Sequence, residues 1–119
     1  MSSLVCLLIL LVLMGECIFH YQSFGQSITA LQSTKQAAES ETVSLSCKYD
    51  TRADNLQWYR QYPGSTPEYL LLVYESNTVF HAEPPFPRLN ASVNKVEKQV
   101  NLTISFAAVT DSALYYCAL

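Results

Sequence analysis

Charged residues are scarce in this sequence, and the few basic ones are scattered. Lys, Arg, Asp and Glu make up 14% of its 119 residues, against 50% hydrophobic residues, and the formal net charge is −3. A nucleic-acid-binding protein needs a basic patch, so no nucleic-acid partner is expected. A disordered chain needs low hydrophobicity with high net charge, so disorder is excluded as well. The length leaves room for one domain.

A hydrophobic run long enough to cross a membrane is also missing. The longest apolar stretch, Leu4–Met14, falls short of the roughly 20 residues that a spanning helix needs. At an N-terminus such a run is typical of a secretory signal peptide, although the preceding MSS carries no Lys or Arg. Ser23 and Gly25 supply the small residues that cleavage requires. We therefore expect a signal peptide at residues 1–25 and a mature domain at residues 26–119.

Two alternatives for the N-terminus stay open. A second cleavage site would use Gly15 and Cys17, so that the mature chain begins at Ile18. The other alternative is that the apolar run is a buried hydrophobic helix. No later segment is apolar enough to span a membrane, so the chain as given is not expected to anchor itself.

Cysteine use points to an oxidising compartment. Cys6 and Cys17 lie in the expected leader, which leaves Cys47 and Cys117 for one intramolecular disulfide. Paired ligand spacings such as CxxC are absent, so no zinc site and no other cofactor is expected. Glycine is rare and forms no phosphate-binding loop, and no nucleophile–base set has a recognisable spacing. An enzyme is therefore not expected.

Alternation of apolar and polar residues is the dominant pattern in what remains. It predicts short β-strands, with turn residues between them, and no window shows a sustained helical period. Proline excludes the stretch EPPFP from any central strand and makes it an edge or connecting segment. Such a series of strands predicts an all-β sandwich of two antiparallel sheets. The strand-forming stretches are VSLSC, LQWYRQ, EYLLLVY, VNLTISF and ALYYCA.

One constellation is more specific than the strand pattern. Cys47 and Cys117 fall on inward-facing positions, and Trp58 lies on the inner face of its own strand. Tyr115 comes two residues before the second cysteine and shares its face. A disulfide between two sheets, a tryptophan beside it and a tyrosine whose hydroxyl returns to the chain are features of immunoglobulin domains.

The sequence now resembles a known family. LSC, WYRQ, LTIS and DSALYYC occur in the order found in an immunoglobulin variable domain. WYRQYPG followed by EYLLLVY, together with the ending CAL, is similar to a T-cell receptor alpha (or delta) variable segment. This resemblance covers residues 26–119 and implies a Greek-key sandwich whose last strand is missing, because a joining segment supplies that strand. It also implies that the disulfide joins Cys47 to Cys117.

The resemblance implies a function and partners. An alpha variable region, joined to J and constant segments and paired with the variable domain of a beta chain, binds a peptide presented by an MHC molecule at the extracellular face of the plasma membrane. Two alternatives are a non-rearranging V-type immune or adhesion receptor and a secreted inhibitor or carrier. Both would require a complete domain.

Site residues follow from the same resemblance. An exposed partner-facing patch is expected to comprise Tyr59, Gln61, Leu114 and Tyr116. Antigen contacts are expected from three loops at one end of the sandwich: Thr51, Arg52, Ala53, Asp54 and Asn55 in the first, Tyr74, Glu75, Ser76 and Asn77 in the second, and Ala118 and Leu119 at the start of the third.

Two further pairs of residues are singled out. The resemblance implies that Arg88 meets Asp111 in a bidentate ion pair that closes the opposite end of the sandwich. Asn90-Ala-Ser and Asn101-Leu-Thr are N-glycosylation acceptor motifs. Asn101 is expected on the outward face of its strand, and Asn90 follows the proline-rich connection.

Overall fold

The computed structural model describes residues 16–24 and 27–119, and nearly all of their regular structure is β-strand. A 3-10 turn at Val109–Asp111 precedes the last strand. The all-β prediction is confirmed. In chain order the strands are β1 (Glu16–Phe24), β2 (Ile28–Ala30), β3 (Thr34–Ala38), β4 (Val43–Tyr49), β5 (Asn55–Gln61), β6 (Glu68–Tyr74), β7 (Val79–His81), β8 (Leu89–Asn94), β9 (Gln99–Ile104) and β10 (Ala113–Ala118).

The described strands form two sheets that pack face to face. The larger sheet has the order β3-β1-β10-β5-β6-β7, and the smaller has the order β2-β4-β9-β8. Every pairing between these strands is antiparallel except that of β1 with β10, which is parallel. The two-sheet sandwich predicted from the sequence is therefore present.

Alternation along the strands builds the core between the sheets. In β4, Val43, Leu45 and Cys47 are buried, and the residues between them face outward. β9 repeats the pattern opposite β4, with Leu102 beside Leu45 in the register. Burying an aliphatic side chain of this size contributes about 1.5–3 kcal/mol. Each strand therefore stabilises the sandwich mainly through its inward face.

The Pro-rich stretch connects β7 to β8, as its composition predicts. β6 departs from regular pairing, because its register against β5 shifts between Trp58 and Tyr59. Leu70 and Leu71 are consequently both fully buried, although they are sequence neighbours.

Strand β1 was not predicted. It comes from residues expected to belong to the leader, and it lies between β3 and β10, where Phe19 is level with Lys35 on one side and Ala113 on the other. Cys17, Phe19 and Tyr21 are each at most 3% exposed. In the described structure β1 therefore pairs with an edge of β10 that the chain from Gln26 onward would leave to another strand.

Signal cleavage remains a prediction. Gly25 and Gln26, which flank the expected cleavage site, lie outside the described residues, and so does the apolar run Leu4–Met14. Within the described ranges, no helix is long and apolar enough to cross a membrane.

Candidate functional site

The disulfide and its neighbours fix the centre of the sandwich. Cys47 of β4 bonds to Cys117 of β10, with 6.6 Å between their Cα atoms, so the bond joins the two sheets. Trp58 is level with Cys117 on the adjacent β5 and is fully buried. The hydroxyl of Tyr115 donates a 2.6 Å hydrogen bond to the backbone oxygen of Asp111. The predicted disulfide, buried tryptophan and returning tyrosine are all confirmed.

The end of the sandwich near the β9–β10 connection is closed by an ion pair. Arg88 donates from Nη1 and Nη2 to the two carboxylate oxygens of Asp111 at 2.7 and 2.8 Å, which confirms the predicted bidentate contact. Burial acts to raise the pKa of Asp111, but the Arg88 guanidinium and the Ala108 N–H together hold that pKa below its ordinary value. Asp111 is therefore ionised and fixed in place, which is a structural role.

Three segments meet at the opposite end. The first loop, residues 50–54, joins β4 to β5, and the second loop, residues 75–78, joins β6 to β7. Asn55 at the start of β5 is level with Tyr74 at the end of β6, and Ala118 near the end of β10 is level with Gln57. The register thus brings both loops and the C-terminal end of β10 to the same end of the sandwich.

A hydrogen bond between the sheets holds the second loop in place. Tyr49, the last residue of β4, donates from its hydroxyl to Glu75 at 2.6 Å. Burial of the Tyr49 ring, together with the Glu75 carboxylate, raises the pKa of Tyr49 to about 12. Asn77, which has a left-handed φ of 68°, accepts a 2.6 Å hydrogen bond from the N–H of Val93 in β8.

Exposure separates the loop residues into two groups. Arg52, Asp54, Tyr74, Ser76 and Asn77 are exposed, and Leu119 is 39% exposed. Thr51, Ala53, Asn55 and Glu75 are half-buried, and Ala118 is only 6% exposed. Arg52 and Asp54 form no ion pair with another described residue. Both are therefore available to a ligand, as is Asp50, which is exposed in the same loop.

The predicted partner-facing residues lie side by side on the outer face of the larger sheet. Leu114 is level with Gln61, and Tyr116 is level with Tyr59, across the β5–β10 pair. Leu114, however, is only 6% exposed, and the adjoining β1 has His20 at the same level. The expectation that Leu114 is an exposed member of the patch is therefore wrong.

A chain of hydrogen bonds orients the other members of this patch. The Tyr116 hydroxyl donates to Gln61 Oε1 at 2.7 Å, and Gln61 Nε2 donates to the backbone oxygen of Ser65 at 2.8 Å. The Tyr59 hydroxyl donates to Gln57 at 2.7 Å. Both rings are half-buried with their polar ends bonded, as is common for tyrosines at protein interfaces.

Several contacts near this face were missed from the sequence. Arg60 is 7% exposed and forms an ion pair with Glu68 at 2.9 Å, and its guanidinium lies over the rings of Tyr62 and Phe86 at 5.0 and 4.8 Å. The alternation of β5 places Arg60 at an inward position. That position could have indicated from the sequence that Arg60 is buried. The aromatic pair Tyr74–Phe80, with ring centroids 5.7 Å apart, lies next to the second loop.

Comparisons with known proteins agree with this geometry. A family model of the immunoglobulin V-set domain matches residues 31–119. The human T cell receptor alpha variable 38-1 is 33% identical over 96 residues, which cover 79% of this chain and 80% of that protein. The human T cell receptor alpha variable 14/delta variable 4 is 34% identical over 97 residues, covering 80% and 81%, and alpha variable 7 is 38% identical over 82 residues, covering 68% of each.

The two-sheet sandwich, its inter-sheet disulfide and the family match define an immunoglobulin variable-type domain. The chain belongs to the immunoglobulin V-set family, and within that family it is a variable region of the T-cell receptor alpha/delta type.

Proposed function

We propose that this variable region recognises antigen as part of a complete receptor at the extracellular face of the plasma membrane. Joined to J and constant segments and paired with a beta chain, it binds a peptide held by an MHC molecule through its loop-bearing end. It acts by binding and performs no catalysis, in keeping with relatives that are receptor variable segments.

The gathering of the loops is the observation that carries this proposal. The first and second loops adjoin the end of β10, and the Tyr49–Glu75 bond fixes the second loop against the smaller sheet. Side chains on a rigid framework lose little conformational freedom on binding, which favours affinity. Arg52 and Asp54 offer charged groups to a ligand, and Tyr74 offers an exposed aromatic ring.

The outer face of the larger sheet supports pairing with a beta chain. Tyr59, Gln61 and Tyr116 form the centre of the proposed contact, and the buried Leu114 is level with Gln61 on the same face. Tyrosine is enriched at protein interfaces because its ring is apolar and its hydroxyl can still bond. The bonds to Ser65 and Tyr116 use one N–H and one oxygen lone pair of the Gln61 amide, so a second N–H and a second lone pair are left for a partner while the side chain is held in place.

Antigen binding is tested in the complete receptor, with the chain joined to J and constant segments and paired with a beta chain of known ligand. Arg52→Ala and Asp54→Ala are expected to weaken binding of the peptide–MHC complex about fivefold or more, the effect of losing one significant interface residue. Glu39→Ala removes an exposed charge at the opposite end and is the matched control for Asp54→Ala. Equal affinity for all three variants would contradict the proposal.

Pairing is measured separately, by recovery of the beta chain with this chain. Tyr116→Ala and Tyr59→Ala are expected to reduce recovery, because each removes an aromatic side chain from the centre of the contact. Ser44→Ala, on the outer face of the other sheet, is the control and should pair normally. If Tyr59→Ala and Tyr116→Ala both pair as the parent does, the assigned partner face is wrong, whatever the outcome of the antigen measurement.

A further inference from the structure

The outer face of the smaller sheet differs sharply from that of the larger one. Its outward strand positions carry only hydroxyl and amide side chains and a single lysine: Thr29, Ser44, Ser46, Lys48, Asn90, Ser92, Asn94, Gln99, Asn101 and Thr103. Protein interfaces are enriched in aromatic residues, Met and Arg, and none of these occurs at the outward positions just named. This face is therefore suited to contact with water or carbohydrate.

Both N-glycosylation motifs lie on this face, and the register of β8 with β9 places them side by side. Asn90 of β8 is level with Thr103 of β9, and Ser92 is level with Asn101. Each acceptor asparagine is thus directly opposite the hydroxyl residue of the other motif. The two asparagines are diagonal neighbours, and such positions are about 7–8 Å apart in an antiparallel pair.

The side-chain amides of both asparagines present a free nitrogen. Asn101 Oδ1 accepts hydrogen bonds from Ser46 Oγ at 2.6 Å and from Gln99 Nε2 at 3.0 Å, whereas Asn90 Oδ1 accepts from the N–H of Ala91 at 2.9 Å. In neither residue does Nδ2 donate to another described residue. A sugar attached at Nδ2 leaves these oxygen-centred bonds intact.

The strands differ in how closely they constrain the two motifs. β8 is the edge strand of the smaller sheet, whereas β9 is paired on both sides, with β4 and β8. The backbone of the Asn101 motif is therefore enclosed once the sheet has formed. Attachment at Asn101 must precede assembly of the sheet, as is possible for a chain modified while it enters the secretory pathway.

We propose that Asn90 and Asn101 both carry N-linked glycans, and that these two glycans cover the outer face of the smaller sheet and close it to protein partners. In each attachment a lipid-linked oligosaccharide diphosphate is the donor. The bond between Nδ2 and C1 of the first sugar forms, the bond from C1 to the diphosphate oxygen breaks, and the amide nitrogen loses one proton. This modification is independent of what the loop-bearing end binds.

Counting the glycans on the full chain expressed in mammalian cells tests the proposal. The parent is expected to show two sugar-dependent steps in gel mobility on partial digestion with peptide N-glycosidase, whereas Asn90→Gln and Asn101→Gln each show one. Ser92→Ala and Thr103→Ala are matched variants that remove one motif each and leave the asparagine in place. One step or none in the parent overturns the proposal.

Two controls keep that outcome interpretable. A C-terminal tag with its own acceptor motif reports that the chain has entered the secretory compartment, and its step is counted separately. Protein retained in the cell is analysed as well as secreted protein, so a variant that folds poorly still yields a glycan count.

Coverage of the face is tested through Lys48, which is exposed on the same face. Removing the glycans from the folded protein is expected to raise the reaction of Lys48 with a bulky polyethylene-glycol succinimidyl ester at least about threefold. Lys35 of β3, in the other sheet, should react equally in both forms. Equal reaction of Lys48 with and without glycans would overturn the claim that this face is closed.

Discussion

The hydroxyl of Tyr49 donates a 2.6 Å hydrogen bond to Glu75, and this contact joins the smaller sheet to the second loop of the larger one. Tyr49 lies at the end of β4, only two residues beyond the disulfide residue Cys47. The second loop is therefore bonded to a residue of β4 that is only two positions from the inter-sheet disulfide.

Tyr49→Phe is expected to lower the free energy of unfolding by about 1 kcal/mol near neutral pH, because Glu75 loses its hydrogen-bond partner. Denaturation in urea measures the change. Tyr59→Phe removes a hydroxyl whose partner, Gln57, lies on the same strand, and is the matched control. A Tyr49→Phe protein as stable as the parent would mean that the bond to Glu75 contributes nothing.

The same bond predicts a dependence on alkaline pH. The pKa of Tyr49 is raised from 10 to about 12 by burial and by Glu75, so folding favours the neutral hydroxyl. Its contribution to stability is fully present below pH 10 and is lost as the pH rises through about 12. The stability difference between the parent and Tyr49→Phe should therefore shrink over that window. Glu75→Gln should bring the ultraviolet titration of Tyr49 closer to pH 10.

The Arg88–Asp111 pair predicts a dependence on acidic pH of the opposite sign. The pKa of Asp111 is below its ordinary value of 3.8, so its contribution to stability is present above that pH and is lost as the pH falls through the lower, folded-state pKa. Asp111→Asn is expected to cost about 2 kcal/mol at neutral pH, since it removes a charge-assisted contact from a buried position. Thermal unfolding followed from pH 7 to pH 2 measures both effects.

Arg88→Lys distinguishes the contribution of the positive charge to stability from that of the bidentate hydrogen bonds. Lysine keeps the positive charge but loses the two-pronged contact, so an intermediate loss of stability is expected. Glu39→Ala, which removes an exposed carboxylate at the same end, is the control for the loss of stability at neutral pH and should have little effect. A parent-like profile in Asp111→Asn would contradict the assigned role.

Because β1 packs into the larger sheet, we expect the stability of the domain to depend on where the chain begins. A chain beginning at Gln26 lacks the buried side chains of Cys17, Phe19 and Tyr21 and is expected to unfold at a lower temperature than one beginning at Glu16. An added segment that pairs with β10 should restore the loss. Phe19→Ala in the longer chain should cost about 3–5 kcal/mol, as is usual for a buried aromatic residue.

Gln22→Ala, at a half-buried position in the same strand, is the control for Phe19→Ala and should have little effect. Circular dichroism during heating and analytical ultracentrifugation report stability and association. A chain from Gln26 that is already a stable monomer would show that β1 is dispensable.

The disulfide predicts a large loss when it is removed. It closes a loop spanning 70 positions, for which the chain-entropy account gives about 4 kcal/mol. Cys47→Ala with Cys117→Ala is expected to lower stability by that order, measured by urea denaturation under non-reducing conditions. Cys17→Ala measures the cost of truncating a buried cysteine that forms no disulfide with another described cysteine, and this cost is the baseline for the double variant.

Much of the fold could be predicted because its strands alternate cleanly. Val43, Leu45 and Cys47 reveal the inner face of β4 from their spacing alone, and the same holds for β9. Trp58 and Tyr115 could be assigned because each shares an inward face with a neighbour in the core. Periodicity of two is a local property of the sequence, so it can be read without knowing which strands pair.

Long-range pairing accounts for what could not be predicted. Cys17, Phe19 and Tyr21 alternate as a strand should, but their position after an apolar N-terminal run favours a leader. The burial of Leu114 depends on that neighbouring strand. The Tyr49–Glu75 bond joins residues 26 positions apart, one at the end of β4 and the other in the second loop. Nothing in the local sequence of either residue indicates the contact.

If the chain is cleaved after Gly25, as the sequence predicts, the position of β1 links that cleavage to the exposure of sheet edges. A protease that cuts after Gly25 would leave this strand held only by non-covalent contacts to β3 and β10. Its departure would uncover two facing rows of backbone donors and acceptors, a known cause of aggregation between molecules. Cleavage would avoid aggregation only if another segment could pair with β10 in place of β1. The order of cleavage and of this replacement would therefore decide whether newly made molecules stay monomeric.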